Sequence, residues 1–419
     1  MTLTVPGLRD ASSQGRVLSI DIFRGLTIFT MVFVNDVGKL REIPPWMRHA
    51  RPGTDAMTFV DLVFPAFLFI VGMSIPFALG RRLSSGQSPL RVAAHVVVRT
   101  LSLLVIGVFM VNMPRFDPDA AGMSKALWVL LVYLSVILLW NAYPRCRAGA
   151  RRLFVVLRLA GAAGLVMLAA VYRGSEANGT TWMQTSWWGI LGLIGWAYLM
   201  TCITCSVFRR QTAGLVGALA LFITMWIGDR AGAFVLLGER LHMPGAMAHI
   251  RDYLWLGGHI GGHSAIAVAG VIVASLFLDG SPAATPRKRI VWVLVFAGML
   301  FAGGFLLRPL YGISKNDATP TWCLYSAGFS CLIYIVLYWL VDLNGLRAWA
   351  FFLRPAGANP LLAYILPDLV YSFLAVAGVT YHRTHWNAGA AAVARSLVFA
   401  LAVVALTGLL GRLRVRLHV

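Results

Sequence analysis

Charge is what this sequence has least of. Only 12% of its 419 residues are Asp, Glu, Lys or Arg, about half of the roughly 25% that a soluble globular domain carries. That excludes a molecule bounded by water on every side. Carboxylates are scarcer than bases, sixteen against thirty-six. Cysteine is scarce as well: Cys146, Cys202, Cys205, Cys323 and Cys331 are too few and too irregular for a disulfide framework. Cys202 and Cys205 make a CxxC, but it lies within an apolar run with no acidic or histidine partner, so both read as small buried hydrophobes. Walker, Rossmann and zinc-protease spacings are missing. No cleavable leader is expected either, because the first fifteen residues are polar and the first apolar run is long enough to span a membrane.

What the chain has instead is apolar length. It is 59% hydrophobic, with a mean hydropathy of +0.75. Runs near the ~20 residues that cross a bilayer fall at 18–35, 58–80, 91–112, 124–143, 152–172, 185–207, 212–230, 259–279, 289–308, 321–342, 358–379 and 389–411. The expected fold is therefore all-α and polytopic, with eleven or twelve transmembrane helices. The eleventh run is interrupted by Pro355, Pro360 and Pro367 and reads as a broken or re-entrant helix. One transmembrane domain over 18–411 is expected, between a tail at 1–17 and a basic tail at 412–419.

The net charge of +20 needs locating before it is interpreted. The N-terminus, the even-to-odd loops and the C-terminus hold nineteen bases, among them Arg9, Arg16, Arg145, Arg147 and Arg210. Against these stand three acids, Asp10, Asp279 and Asp342. The opposite side holds thirteen bases and ten acids. The positive-inside rule places the first side, with both termini, in the cytoplasm. The excess is thus a topology signal, and the partner is a lipid bilayer, not nucleic acid.

Ionisable groups inside a membrane are costly and usually face a bundle interior or a water-filled cavity. In the first run, Asp21 and Arg24 are helix neighbours three residues apart. Asn35 follows Arg24 by eleven residues, which returns it to nearly the same face about 16 Å further out. The Asp–Arg pair serves either a ligand or a helix–helix contact. His49 lies in the next loop, which Pro44, Pro45, Trp46 and Pro52 stiffen, twelve residues before Asp61. A constrained histidine near carboxylates is how a general base is built.

Histidines crowd the outer side: His242, His249, His259, His263, His382 and His385 join His49. His259 and His263 have the i,i+4 spacing of a zinc pair, but spacing fixes no third ligand, so no metal is expected. A polar rim of a substrate cavity fits them better. "RPLYGISKNDATPTWCLYSAG" adds Lys315, Asn316 and Trp322, a set that suits a sugar-binding rim or an interfacial aromatic belt.

"SIDIFRGLTIFTMVFVND" followed by "PWMRHARPGTDAMTFVDLVFPAFLFIVGMSIPFAL" resembles the signature of the heparan-alpha-glucosaminide N-acetyltransferase family, in particular its bacterial members. "GISKNDATPTWCLYSAG" and "RPAGANPLLAYIL" extend the resemblance, while residues 112–250 match weakly. The resemblance implies a membrane-embedded enzyme that takes acetyl-CoA from the cytoplasm and acetylates a terminal glucosamine on the far side. For this chain it implies a bacterial inner membrane. It also implies His49 as the essential histidine and Asn35 as the important asparagine. The chain departs from the lysosomal members, which read His, two residues, then Trp-Asn-Gly before the D-L-V-F-P block. Here that stretch is two residues longer and lacks the tryptophan, which puts the acceptor contacts in doubt.

Elementary chemistry agrees with those roles. Acyl transfer from a thioester needs a base for the acceptor proton and a donor for the developing oxyanion; His49 suits the first and the Asn35 amide the second. The anionic nucleotide of CoA should seek the basic cytoplasmic end, near Asp21, Arg24, Arg99 and Asn359. Asp61, His259, His263, Lys315, Asn316 and Trp322 are then the expected acceptor contacts, and the acceptor is an amino sugar or glycan. A homodimer is left open. The rival readings are an O-acetyltransferase acting on a sugar hydroxyl and a transporter or flippase, whose twelve crossings and broken helix would look the same.

Overall fold

The computed structural model describes residues 17–144, 148–176, 179–209, 211–278, 280–281, 283–379, 381 and 385–418. Arg9, Asp10, Arg16, Arg145, Cys146, Arg147, Arg210, Asp279 and His382 lie outside the described residues. The protein is an all-α polytopic membrane protein, with one two-stranded exception. Its helices are α1 (Leu18–Val37), α2 (Phe59–Ser84), α3 (Pro89–Asn112), α4 (Lys125–Trp140) and α5 (Ala148–Val171). There follow α6 (Gly189–Phe208), α7 (Thr212–Arg230), α8 (Ala233–Arg240) and α9 (Pro244–Leu254). The last six are α10 (Leu256–Ser275), α11 (Pro286–Tyr311), α12 (Pro320–Leu343), α13 (Ala348–Ala358), α14 (Pro360–Val376) and α15 (Gly389–Arg412). The exception is an antiparallel hairpin, β1 (Gly174–Glu176) and β2 (Gly179–Thr181).

Among the described residues ten helices are long and apolar enough to cross a membrane, and α13 with α14 makes an eleventh as a bent pair. All twelve apolar runs of the sequence are helical. The fourth, α4, has only 16 residues, short of the ~20 of a perpendicular span. The eleventh breaks by 79° between α13 and α14. The cause is local: Pro360 offers no N–H and disfavours helical geometry in the residue before it, and Asn359 has φ −136° and ψ 61°.

The centre of the bundle is α10, 94% buried over its apolar stretch. It lies against α2 closely enough that a Cβ on Gly72 would stand 1.8 Å from the Ala267 carbonyl oxygen. A Cβ on Gly270 would stand 2.0 Å from that of Phe69. Without water to drive helices together, such backbone approach through small residues is what packs a membrane bundle. The outermost helices present Leu159, Val166, Met167, Phe305 and Leu306 outward, the apolar exterior that lipid requires.

The bundle has two distinct ends. At one, the backbone N–H groups of Leu18 and Ser19 donate to Asp342, each at 3.1 Å. There too Asn359 holds the last described strand of chain, donating to the Val415 carbonyl and accepting from Leu417 N. This terminal face carries the beginning of α1 and the tail after α15; with α4 counted as a crossing and α13–α14 once, the crossings number twelve. At the opposite loop face, the segment between α1 and α2 meets the segment between α11 and α12. Asp55 accepts there from Arg308 Nε at 3.0 Å and from Ile313 N at 2.8 Å.

Candidate functional site

The loop-face site begins with a helix start. Thr58 precedes α2, and its backbone N–H donates to the Asp61 carboxylate at 3.0 Å, a reciprocal cap of the kind that satisfies the free amides of a first turn. The same carboxylate oxygen accepts from Ala50 N at 3.0 Å, while the Thr58 hydroxyl donates to the Arg48 carbonyl at 2.6 Å. One buried acid thus grips the chain on both sides of His49. Its other oxygen takes a hydrogen bond from His49 Nδ1 at 2.7 Å. A carboxylate only accepts, so Nδ1 carries a proton, and in the neutral ring the lone pair falls to Nε2. The Asp61 side chain is 2% exposed and that of His49 52%: a fixed partner beneath, a reachable ring above.

Lys315 comes from the loop before α12. Its Nζ lies 3.1 Å from His49 Nδ1, 3.3 Å from Nε2 and 3.9 Å from Asp61 Oδ1. Burial pushes the Lys315 pKa down, and the Asp61 charge pulls it back up in part. Trp322, fully buried, donates from its indole N–H to the Asp61 carbonyl at 3.3 Å. The structure therefore brings His49, Asp61, Lys315 and Trp322 together, with Asn316 exposed beside them on the Lys315 loop.

His259 and His263 are placed differently from the outer rim expected for them. They are 2% and 3% exposed, inside the first turns of α10, where residues 256–262 are π-helical. Their rings pack on Trp255, Phe64 and Trp322, so they support the wall behind the site. Among the described residues no group of three His, Cys, Asp or Glu side chains gathers around them or elsewhere.

Asn35 makes no hydrogen bond with His49. It lines a cavity of about 190 Å³ on the other flank of α1, with Asp36, Lys39, Tyr364, Asp368 and Tyr371. Asp36 is buried and accepts from the hydroxyls of Tyr371 and Ser396 and from Arg395. Asp368 accepts from the Tyr133 hydroxyl at 2.9 Å. The sequence reading missed Asp36, Asp368, Tyr371 and Arg395. The signal that would have found them is an ionisable group inside an otherwise apolar run.

On the terminal face the expected cofactor residues are held by separate partners, apart from the Asp21–Arg24 pair. Arg24 donates to Asp21 at 3.1 Å and to Ser74 of α2 at 2.8 Å. Arg99, on α3, lies 4.7 Å over the ring of Tyr198 on α6, and Asn359 has both ends of its amide engaged by the tail. Each has a structural partner in this conformation.

A membrane bundle with a buried carboxylate behind an accessible histidine defines the class: a polytopic protein with an acid–base pair at one face. The chain belongs to the family described as a domain of unknown function, DUF5009, whose profile matches residues 16–233. It is also similar to heparan-alpha-glucosaminide N-acetyltransferase of Mus musculus, 39% identical over 101 residues, 24% of this chain and 15% of that protein. The Homo sapiens protein of the same name is 37% identical over 97 residues, 23% and 14% of the two chains. The matched stretch thus spans about one seventh of each relative.

Proposed function

We propose that this protein is a transmembrane acyltransferase, moving an acetyl group from acetyl-CoA on the cytoplasmic side to the amine of a glucosamine-like acceptor on the outer side. The observation that carries this reading is the His49–Asp61 pair with Lys315 against it. His49 Nε2 takes a proton from the acceptor nitrogen as that nitrogen attacks the thioester carbon. The C–S bond then breaks, and the proton passes to the departing CoA sulfur. Asp61 is a positioning residue that fixes the ring and its tautomer. Lys315 stands where its N–H groups can steady the thioester oxygen, the role for which the chemistry of the sequence suggests the Asn35 amide. The similarity to two N-acetyltransferases supports the donor and the acceptor class, and the apolar bundle over 18–411 is the single domain that would carry them. Asp21, Arg24 and Arg99 supply polar and basic character at the terminal face for the CoA nucleotide, if they exchange present partners for phosphate. Asn359, committed to the tail, is read as a fastener.

The test is acetyl transfer from labelled acetyl-CoA to glucosamine by the purified protein in liposomes. Transfer is expected, with His49→Ala lowering it by ~10²–10⁴-fold, the usual contribution of a positioned base. Asn35→Ala should cost ~10²–10³-fold if its amide holds the oxyanion. A His49→Ala protein within tenfold of wild type removes the proposed base. Product on a hydroxyl instead of an amine selects the O-acetyl reading. The broken α13–α14 helix and the cavity beside it favour a transporter as second reading, and glucosamine uptake without acetylation would select it.

A further inference from the structure

Three bases meet between the end of α2 and the first half of α3, and no acid joins them. Side chains lean toward the N-terminus of their own helix. Arg82, in the last turn of α2, therefore leans into the bundle, while His95 and Arg99 lean back toward the terminal face. At ~1.5 Å per residue, His95 stands about 9 Å and Arg99 about 15 Å from the start of α3, so they converge within the span. Arg82 Nη2 donates to His95 Nε2 at 2.9 Å, and Nη1 to Gln87 Oε1 at 3.3 Å. The Arg99 guanidinium lies 4.7 Å over the Tyr198 ring, and its Nε is buried and meets no acceptor among the described residues. The charges of both arginines reach His95 and Tyr198, which makes the group one cluster.

A guanidinium has donors and no acceptor, and an ion inside a membrane span normally finds a counter-charge. Here neither arginine has one: no ion pair among the described residues includes Arg82 or Arg99. Snorkelling brings a long basic side chain to water, but Arg82 leans the other way. His95 accepts from it through Nε2 and so brings no charge of opposite sign. The surroundings supply lipid. α3 packs on α6, where a Cβ on Gly107 would stand 2.5 Å from the Trp188 carbonyl oxygen, and leaves its other side to the bilayer. Val98, Leu101 and Val105 are exposed along that side, outward from the turns that carry His95 and Arg99.

We infer that Arg82, His95 and Arg99 hold the phosphodiester of an anionic phospholipid from the leaflet at the terminal face, with an acyl chain along Val98, Leu101 and Val105. Phosphate oxygens accept from the two guanidinium forks, the contact for which arginine geometry is suited, and His95 Nδ1–H adds a third donor. Basic pockets between helices on the cytoplasmic side of a membrane recognise lipid headgroups in this way. The uncompensated charge separates phosphatidylglycerol from phosphatidylcholine, whose ammonium cancels its phosphate. The inference does not depend on the acyltransferase reading. Arg99 alone is shared with the residues set toward the CoA nucleotide, so the test is made at Arg82.

Phenylglyoxal modification of arginines in the full wild-type chain, read peptide by peptide by mass spectrometry, tests this without relying on a variant's folding. The protein is held in detergent micelles doped with phosphatidylglycerol or phosphatidylcholine, with inorganic phosphate and acetyl-CoA in separate series. Phosphatidylglycerol should slow the modification of Arg82 at least ~10-fold relative to phosphatidylcholine, the factor that one charge-assisted hydrogen bond supplies. Arg91, exposed at the start of α3, should react equally in both. In native mass spectrometry Arg82→Gln should lose ~10-fold in retained phosphatidylglycerol, and Arg91→Gln should keep it. Equal protection by the two lipids, or equal loss in the two variants, reduces the cluster to general surface charge and overturns the inference. Protection of Arg82 by inorganic phosphate or acetyl-CoA that matches protection by phosphatidylglycerol assigns the bases to a soluble phosphate and overturns it as well. If acetyl-CoA is the matching ligand, the donor reading gains a residue while the lipid site falls. If phosphatidylglycerol alone protects, the lipid site stands whether or not acetyl transfer is found.

Discussion

Lys315 carries an opposition between stability and function. Its ammonium is mostly withdrawn from water, with the side chain 21% exposed, and its counter-charge Asp61 is 3.9 Å away. Burial exceeds that attraction, so its pKa in the folded protein lies below the ordinary lysine value. The unfolded chain therefore binds more protons between the folded pKa and about 10.5, and stability rises with pH across that window. Below the window the burial cost is fully present. Lys315→Met should remove it, because Asp61 would still accept from His49, Ala50 and Thr58. The expected outcome is a higher unfolding temperature at pH 7, loss of the rise in stability that the wild-type protein should show as pH climbs toward about 10.5, and slower acetyl transfer. A Lys315→Met protein that unfolds earlier at pH 7 would show that the lysine holds the two loops together.

The acid–base pair was legible as residues and not as a contact. Twelve residues separate His49 from Asp61, and no helical or strand period relates them. Proline-stiffened chain and the start of α2 were visible; that the carboxylate would fold back to cap its own helix and seize the histidine was not. Lys315, more than 260 residues away, was grouped with the site by side and by residue type alone. The cavity around Asp368 was missed for the opposite reason, since the eleventh run drew attention through its prolines and the carboxylate next to Pro367 was passed over. His259 and His263 were grouped with the rim by the side they lie on, while the helix begins at Leu256 and carries both rings inside.

At the scale of elements, hydropathy alone located all twelve helical runs, because a bilayer admits few other structures. It did not find α8, α9 or the β1–β2 hairpin, whose short amphipathic or polar stretches satisfy no bilayer length rule. Nor could it reveal which helix is central. That depends on glycine: α10 reaches α2 only because Gly72 and Gly270 leave room for the carbonyls of Ala267 and Phe69. Gly270→Ala already places a methyl 2.0 Å from Phe69 O, where only backbone can yield. Overpacking of this kind costs ~1–3 kcal/mol. Gly270→Ala should therefore lower the unfolding temperature, and Gly270→Leu should leave little folded protein in size-exclusion chromatography. Gly298, with nothing within 4 Å of an added Cβ, is the matched control and should tolerate alanine. Equal behaviour at both positions would mean that the α2–α10 approach is looser than described.

For the whole molecule, the open question is which face looks inward. The beginning of α1 meets Asp342 at the end of α12, and the tail after α15 meets Asn359 at the α13–α14 break, contacts that support a shared face for the two described ends. Counting α4 as a crossing and α13–α14 once gives twelve, an even number; without α4 the described helices make eleven. The face itself is chosen by charge. Arg81, Arg82, Arg91, Arg287, Lys288, Arg289, Arg347, Arg412, Arg414 and Arg416 lie at the terminal end, and short loops rich in Lys and Arg remain in the cytoplasm. The loop face balances its bases with acids such as Asp55, bonded to Arg308, and Asp229, bonded to Arg251. We therefore expect an alkaline phosphatase fused after Val419 to be inactive and a fluorescent protein there to be bright. A cysteine placed at exposed Asn316 should react with an impermeant maleimide from outside intact cells. The proposed chemistry needs this polarity, since acetyl-CoA is made in the cytoplasm and His49 stands at the other face. In sealed vesicles of known orientation, acetyl-CoA should support transfer only from the terminal side, and glucosamine should be consumed only at the loop side. Labelling at Asn316 only after the cells are opened would invert the molecule and bring donor and acceptor to one compartment, leaving a transmembrane reaction without purpose.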